Sequence, residues 1–406
     1  SDAAVIIPWV VYQNYGDLRI LEDGWKCMHE WVDYINNHTN ENGLWMSGFQ
    51  YGDWLALDKE ESADRTGSTD KYMIANAYYI YVTDIVRKTA EALGKKEEAD
   101  KYKELYERTL KSFREEYYTS RGRIVSETQT GCVLSLYFNL AKEKDRKQII
   151  NTLRTNIVNH KNHLSTGFVG TPYLCHALSE NGEHELAAML FMREDFPSWL
   201  YSVNMGATTI WERWNSILPD GDFESSGMNS LNHYAYGSIG DWVYRKVAGI
   251  QQLEPGYHRF AVRPMFVKGI EDTETSLETP YGKIVSRWEC KNKKICVKVT
   301  VPVNTTAVLY LPEKEGKIEL GSGSYEYEYA TETNLRKERF SLDSNLGEVI
   351  SEPLGREMLE IMAPGFLDNP MIEFACSMTM AELLNSAPEA RPMYEAIIQA
   401  LNTQEA

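Results

Sequence analysis

The sequence lacks an excess of positive charge, any long apolar run and the common nucleotide and metal motifs. Its 59 acidic side chains outnumber 42 basic ones, giving a formal charge of −17, whereas nucleic acid binding requires Lys and Arg to neutralise phosphates. No apolar run approaches the ~20 residues of a membrane span. The motifs of P-loops, dinucleotide folds, zinc proteases and serine hydrolases are missing. We therefore expect neither a nucleic acid nor a membrane partner.

Cysteine is also scarce, and its distribution argues against a metal site. The six cysteines show no metal-type spacing, so we expect no metal or other cofactor. Cys290 and Cys296 flank a predicted hairpin turn, and the sequence leaves open whether they are bridged. Residues 1–7 contain neither an initiator Met nor the basic region of a signal peptide. We expect the chain to begin within a longer protein, which leaves its compartment unassigned.

Helical signals dominate residues 1–248. Asp17 and Asp70 are predicted N-caps of helices whose apolar residues recur on one face, and the second of these helices is expected to stop at Gly94. Similar patterns predict further helices near 3–15, 95–118, 127–141, 144–160, 171–181 and 183–193. Between the helices lie loops rich in Gly and aromatic residues, at 39–69, 161–170 and 194–233. Such long loops in compact domains are usually functional or disordered, and their Trp and Tyr content favours function.

The pattern changes at about residue 249. Residues 295–301 alternate between apolar and polar side chains, which is typical of a strand, and shorter strands are predicted at 258–263, 283–289, 306–311 and 325–329. Helical patterns then return, and we expect this tail to cover a surface of the preceding domains, with formation of a dimer as the alternative. The predicted fold is mainly α, with a helical domain at 1–248, a β-sandwich at 249–350 and a helical tail at 351–406. Helical hairpins followed by a sandwich suggest an α/α-toroid, whose loops gather at one end and often bind carbohydrate, an analogy between folds.

The first candidate for chemistry is Glu212, which stands between Trp211 and Trp214 in the segment 206–215. Trp faces stack on the C–H side of pyranose rings, and an apolar wall tunes the pKa of a carboxyl group. Glu212 could therefore serve as the base of a sugar-processing enzyme. In the alternative, it pairs with Arg213 or caps a helix, and the two Trp are core residues.

Two further loops offer polar groups beside aromatic rings. Asp53 precedes Trp54 in the loop 39–69, where the alternative is an Asx-turn. Asn232 and His233 precede a predicted helix and could bind a ligand hydroxyl, although a His in this position is more often structural. A separate acidic stretch is interpreted as a solvated turn, with calcium as a weak alternative: Asp220, Asp222 and Glu224.

Together these segments resemble the α-L-rhamnosidases of glycoside hydrolase family 78. The resemblance covers about residues 1–312, and its ordered motifs are Ser-Asp-Ala-Ala-Val-Ile-Ile-Pro-Trp at 1–9, Tyr-Gly-Asp-Trp-Leu at 51–55, Thr-Thr-Ile-Trp-Glu-Arg-Trp at 208–214 and Ser-Leu-Asn-His-Tyr-Ala-Tyr-Gly at 230–237. In the β module, Glu-Thr-Pro-Tyr-Gly-Lys at 278–283 and Thr-Val-Pro at 300–302 also match. The resemblance implies an (α/α)6 barrel followed by a C-terminal sandwich, and hydrolysis of terminal α-L-rhamnosyl bonds with inversion. Inversion requires two carboxyl groups ~6.5–9.5 Å apart, with a water between them.

The resemblance also implies roles for individual residues. Glu212 would be the general base that activates the water, and Asp53 and His233 would hold rhamnose hydroxyls. The substrate would be a rhamnose-containing glycan or glycoside. The walls of its pocket would be Trp9, Trp54, Trp211 and Trp214.

One motif of the family does not occur in the sequence. This is the acid motif, Asp-Glu-Arg-x-Gly-Trp-x-Gly-Asp. We therefore expect the proton donor upstream of a barrel that is truncated at its N-terminus, and the 406 residues alone to be inactive or to need that upstream part. An open barrel edge would expose apolar surface, which favours association into a homo-oligomer. Two alternatives stay open: another α/α-toroid glycosidase or phosphorylase, which would need an anion site near Glu212, and a non-catalytic carbohydrate-binding fragment.

Overall fold

The structure, a computed structural model, describes residues 2–59, 65–224 and 227–404. The chain divides into two compact units, one ending at Leu335 and the other beginning at Arg336. The division into 1–248, 249–350 and 351–406 stays a prediction. None of the described helices is long and apolar enough to cross a membrane.

The first unit begins with a succession of helices. In the described residues before 243 these are α1 (Ala3–Tyr15), α2 (Arg19–Asn37), α3 (Lys71–Ala92), α4 (Lys96–Tyr117), α5 (Gln129–Tyr137), α6 (Arg146–Asn159), α7 (Thr171–Glu180), α8 (His184–Met192), α9 (Trp199–Asn204) and α10 (Ile239–Trp242). A π-helical turn, Val243–Val247, continues α10. The helices expected from the apolar period are confirmed, but α9 lies in a segment predicted as a loop. Its six residues are too few to establish a period, and Ser198 caps it by accepting the N–H of Tyr201.

Of the two predicted N-caps, one is confirmed and the other is wrong. The carboxylate of Asp70 accepts the N–H of Met73 at 2.7 Å and caps α3, as expected. The prediction for Asp17 is wrong, because α2 has Leu18 at its N-cap position and no side-chain cap. The carboxylate of Asp17 instead binds the backbone N–H and the guanidinium of Arg19, at 3.0 and 2.9 Å. This local pair competes with the capping geometry.

Helix packing brings one set of loops to a common end of the helical domain. Helices α1, α3, α5, α7 and α10 contact one another in succession, while α2, α4, α6 and α8 each pair with the helix before them. The members of a helical hairpin are antiparallel, so the inner helices α1, α3, α5, α7 and α10 point the same way. The segments that precede α3, α5, α7 and α10 therefore meet at one end, and they include the loops that carry the candidate residues.

Within its described residues, the first unit has two four-stranded sheets. Their strands are β1 (Ile250–Gln252), β2 (Arg259–Val262), β3 (Asp272–Thr279), β4 (Gly282–Lys291), β5 (Lys294–Val301), β6 (Thr306–Leu309), β7 (Ile318–Leu320) and β8 (Gly323–Ala330). One sheet has the order β1-β2-β6-β7, with β2 and β6 parallel, and the other has the antiparallel order β3-β4-β5-β8. Strands β1, β3 and β7 were not predicted. The first and last have three residues each, and β3 has a single large apolar residue, Leu277.

The register of β4 and β5 settles the cysteine question. Cys290 lies opposite Ile295, while Cys296 lies opposite Glu289. Successive residues of a strand point to opposite faces, so the two thiols lie on different sides of the sheet. All six cysteines are free.

The sandwich is fixed to the helices by side chains that bond the end of the π-helical turn. The indole of Trp288 donates to the carbonyl of Val247 at 2.8 Å, and Ser286 donates to the carbonyl of Ala248 at 2.7 Å. One continuous apolar core runs from the helices into the sandwich. The sandwich is therefore joined to the carboxyl end of the inner helix that begins with α10, through these hydrogen bonds and a shared apolar core.

The second unit contains five α-helices within its described residues: α11 (Leu346–Ser351), α12 (Pro353–Met362), α13 (Ile372–Cys376), α14 (Met380–Leu383) and α15 (Arg391–Gln404). Its apolar side chains pack on one another and include Phe340, Leu346, Val349, Leu359, Met380 and Ile397. The expected tail is thus a small unit with its own core.

Candidate active site

Glu212 lies on a short antiparallel backbone pairing within the segment that precedes α10. Its N–H donates to the carbonyl of Ser230 at 2.9 Å, and the N–H of His233 donates to the carbonyl of Ile210 at 2.8 Å. The N–H of Ser230 returns to the Oε2 of Glu212 at 2.8 Å. Glu212 is 8% exposed. Its carboxylate is therefore fixed through one oxygen, while the Oε1 atom has no protein hydrogen bond within the described part of the chain.

Among the described residues, the ion pair of Arg213 is made with Glu224 and not with Glu212. The Nε of Arg213 donates to the carbonyl of Met228 at 2.9 Å and lies 3.5 Å from the carboxylate of Glu224. The alternative in which Glu212 pairs with the neighbouring Arg is therefore not realised. The acidic stretch that ends at Glu224 folds as a turn, in which the N–H of Asp222 donates to the carboxylate of Asp220 at 3.0 Å. No group of three or more His, Cys, Asp or Glu in the described residues could hold a metal ion.

Both Trp that flank Glu212 in the sequence are buried, each with 4% exposure. The ring of Trp214 stacks on Tyr236 at 3.8 Å and meets Trp199 edge-on at 5.2 Å. The indole of Trp199 in turn donates to the carbonyl of Tyr236 at 2.9 Å. These rings form an apolar support behind the backbone of the Glu212 segment. Burial raises the pKa of Tyr236, and the nearby charges of Asp53 and Glu212 add to the rise.

The imidazole of His233 is oriented by two contacts. Its Nδ1 accepts the N–H of Ala235 at 3.3 Å, which places the proton of the neutral ring on Nε2. Its ring lies almost parallel to that of Phe168, with centroids 5.0 Å apart and planes at 24°. The Nε2–H is then a donor that the backbone around His233 does not use.

Asp53 lies in a different environment. It is 1% exposed, and its Oδ1 accepts the N–H groups of Val169 and Gly170 at 2.9 and 3.3 Å. Its Oδ2 accepts the N–H of Gly167 at 2.8 Å and the hydroxyl of Thr130. Burial raises the pKa of Asp53, while these four hydrogen bonds act in the opposite direction. Asp53 thus ties the loop before α3 to α5 and to the loop before α7.

The loop before α7 is pressed closely against the Asp53 segment. The N–H of Phe168 donates to the carbonyl of Trp54 at 2.9 Å. A Cβ on Gly167 would lie 2.3 Å from the same carbonyl oxygen, and a Cβ on Gly170 would lie 2.2 Å from the hydroxyl oxygen of Thr130. Sequence reasoning missed Phe168. The only available signal was its position in Gly-Phe-Val-Gly at 167–170, where two glycines allow close backbone approach.

The two remaining Trp candidates are half-buried. Trp54 meets Tyr51 edge-on at 6.3 Å, and Tyr51 itself is exposed. Trp9, on α1, contacts Tyr12 of the same helix at 5.6 Å. The structure therefore brings together the segments of Asp53, Trp54, Glu212 and His233 through Phe168, whereas Trp9 packs with the apolar cluster of α1, α2, α3 and α4.

Comparisons with known proteins agree with this architecture. Residues 1–247 match the model of the bacterial alpha-L-rhamnosidase 6 hairpin glycosidase domain, and residues 249–326 match that of the bacterial alpha-L-rhamnosidase C-terminal domain. The mainly α fold followed by a β-sandwich is thereby confirmed.

Individual relatives point the same way. An alpha-L-rhamnosidase of Formosa agariphila is 40% identical over 314 residues, which are 77% of this chain and 34% of that protein. The crystal structure of the native alpha-L-rhamnosidase of Aspergillus terreus has a TM-score of 0.77 and 36% identity, and the match covers 80% of this chain and 38% of that one. The alpha-L-rhamnosidase of Streptomyces avermitilis, complexed with L-rhamnose, gives 0.75 and 35% over 81% of this chain and 32% of that one.

The chain spans about a third of the length of these relatives. One family model nevertheless covers residues 1–247 of its 406 residues. On this match, and on the relatives' identity over most of its length, the chain belongs to the bacterial alpha-L-rhamnosidase six-hairpin glycosidase family.

Proposed function

We propose that the protein that carries this chain hydrolyses α-L-rhamnosyl bonds with inversion, and that Glu212 is its general base. The observation that carries the proposal is the state of the Glu212 carboxylate. One oxygen is fixed by the N–H of Ser230 at 2.8 Å, and the other has no protein partner in the described residues. A base that activates water needs a fixed carboxylate with one oxygen open to the water.

In this proposal, His233 is a residue that binds the sugar. Its Nδ1 is occupied by the N–H of Ala235, so the Nε2–H can donate to a hydroxyl of L-rhamnose. The backbone of Glu212 binds Ser230 and that of His233 binds Ile210, so the two side chains come from paired segments that would hold the sugar beside the base. Of the four Trp that the resemblance assigns to the pocket walls, Trp54 is proposed as a wall because it is half-buried beside Asp53. Trp211 and Trp214 are buried and would support that wall from behind, and Trp9 packs with the apolar cluster of α2, α3 and α4.

The general acid is the missing part of the mechanism. Inversion needs a second carboxyl group that protonates the leaving oxygen, and the acid motif of the family does not occur in the sequence. Asp53 is unsuited to this role, because its oxygens face four donors in a buried site. We therefore expect the 406 residues alone to bind L-rhamnose but to turn over rhamnosides slowly.

The test is Glu212→Gln in the protein that carries this chain, assayed with p-nitrophenyl α-L-rhamnoside. Loss of the base should lower kcat by ~10²–10⁴-fold, with L-rhamnose binding retained. The matched control is Glu41→Gln, which removes an exposed carboxylate from the loop before α3. Near-normal turnover by Glu212→Gln would remove Glu212 from the base role.

A second experiment identifies the chemical step. In Glu212→Ala, azide should restore turnover and yield the rhamnosyl azide of inverted configuration, because an anion that needs no base attacks from the side of the water. A product of retained configuration would contradict inversion. Acceleration by inorganic phosphate in the unaltered protein would instead indicate a phosphorylase.

A further inference from the structure

The hydrogen bonds of Asp53 leave no acceptor for a sugar hydroxyl. An ionised carboxylate offers about four lone-pair positions, and four donors occupy them here. The side chain is also 1% exposed. Asp53 therefore needs a role other than direct contact with a ligand.

Two of the backbone N–H groups that bind the Asp53 carboxylate lie on either side of one aromatic residue. The N–H groups of Gly167 and Val169 lie on either side of Phe168 and both bind the Asp53 carboxylate. The N–H of Phe168 itself binds the carbonyl of Trp54 at 2.9 Å. Three consecutive backbone N–H groups are thus fixed by the Asp53 segment, and the direction of the Phe168 side chain follows from them.

The ring of Phe168 supports the imidazole of His233. Its face lies against that ring at 5.0 Å and 24°, and its edge meets Tyr236 at 5.4 Å and 71°. The ring of Tyr234 is also nearly parallel to the imidazole, with planes at 8° and centroids 6.0 Å apart, but Tyr234 is 87% exposed. Phe168 is therefore the fixed neighbour that sets the plane of the His233 ring.

We propose that Asp53 and Phe168 are positioning residues that act through His233. Asp53 holds the 167–170 backbone, Phe168 lies against the imidazole, and the Nε2–H of His233 is thereby aimed at a sugar hydroxyl. This inference rests on the function proposed above, because it takes His233 as the group that contacts L-rhamnose. It replaces the direct role of Asp53 that the family resemblance implied.

The first test is a double-mutant cycle in the full 406-residue chain, with L-rhamnose binding measured by calorimetry. Phe168→Leu keeps an apolar side chain but removes the flat face, and it should weaken binding about 3- to 10-fold, as expected for loss of an aromatic pair. In a His233→Gln background the same change should have almost no effect. Phe168→Tyr, which restores a flat ring, should bind L-rhamnose as the unaltered chain does. The control is Phe374→Leu, an exposed position in the second unit.

The outcomes separate the inference from the proposed function. Equal losses from Phe168→Leu in both backgrounds, or no loss in either, would overturn the positioning role. If His233→Gln leaves L-rhamnose binding unchanged, or if the unaltered chain does not bind L-rhamnose, the proposed role of His233 in sugar binding fails instead.

A second measurement needs no sugar. The ¹⁵N resonances of His233, assigned by their loss in His233→Gln, should show that the neutral form of the ring carries its proton on Nε2. Phe168→Leu and Asp53→Asn should both shift these resonances towards a mixture of tautomers. Unchanged resonances in both variants, with thermal unfolding confirming that they fold, would show that the imidazole does not depend on the Asp53 segment.

Discussion

Replacing Gly167 by Ala is the sharpest test of how the site is assembled. A Cβ at this position would lie 2.3 Å from the carbonyl oxygen of Trp54, 2.7 Å from the nitrogen of Ala56 and 2.8 Å from the Oδ1 of Asp53. Carbon atoms normally pack at about 3.5–4.0 Å, so the methyl group needs roughly 1 Å of additional space. The two nearest atoms belong to the backbone, and no side-chain rotation can move them away.

The cost of this substitution follows from the displaced contacts. Overpacking a close site costs about 1–3 kcal/mol. If the loop moves, the N–H of Gly167 leaves the carboxylate of Asp53, and a hydrogen bond to a charged group contributes about 1.5–3 kcal/mol. We therefore expect Gly167→Ala to lower the free energy of unfolding of the first unit by about 3–5 kcal/mol. Gly167 does not have a left-handed φ, so backbone strain adds nothing to this figure.

Urea unfolding followed by Trp fluorescence measures the effect. All ten Trp lie in the first unit, so the signal does not report on the second one. The matched control is Gly240→Ala in α10, where a Cβ would meet nothing within 4 Å and the midpoint should stay the same or rise. L-rhamnose binding should also weaken in Gly167→Ala. A variant with the control's unfolding midpoint and unchanged binding would refute the close packing of the two loops.

Two further predictions concern the attachment of the sandwich. Trp288→Phe should lower the free energy of unfolding by about 1–3 kcal/mol, because the buried carbonyl of Val247 loses the indole N–H at 2.8 Å; a calorimetric stability equal to that of the unaltered chain would contradict this. His184, with Nε2 on the carbonyl of Phe266 and Nδ1 on the hydroxyl of Ser179, has a pKa lowered by burial. The stability that the neutral His184 contributes is therefore present above pH ~6.5. It is lost as the pH falls towards the lowered pKa, because the unfolded chain takes up the proton first. Urea midpoints between pH 7.5 and 5 should fall more steeply for the unaltered chain than for His184→Gln, and parallel curves would rule out this linkage.

The predictable parts of the fold are those in which a periodic pattern of apolar residues continues over many positions. The helices α3 and α4 repeat their apolar residues over 22 positions each, and the strand β5 alternates over eight. The misses are short or polar, such as α9 and β3, where tertiary contacts decide the conformation. In the second unit, apolar residues predicted to seek a surface pack on one another, because a pattern of apolar positions does not name the partner they pack against.

Within the site, the sequence indicated which side chains have suitable chemistry, but it did not indicate which of them lie together. The local sequence marked Glu212 and His233 because their side chains carry a base and a donor beside aromatic rings. It did not mark Phe168, whose contribution depends on a contact with His233, 65 positions further along the chain. Such a contact requires the loops before α7 and α10 to meet, and this follows only from the parallel direction of the inner helices.

Asp53 and Glu212 show why counting donors discriminates between two similar sequence signals. Each is a carboxylate beside Trp in a loop, and each is less than a tenth exposed. Glu212 accepts one backbone N–H and keeps one oxygen without a protein partner among the described residues, whereas Asp53 accepts four hydrogen bonds. A carboxylate that must take a proton from water needs an open lone pair, and a carboxylate that must hold a loop needs none. On this criterion Glu212 meets the requirement for a base, and Asp53 meets that for a positioning residue.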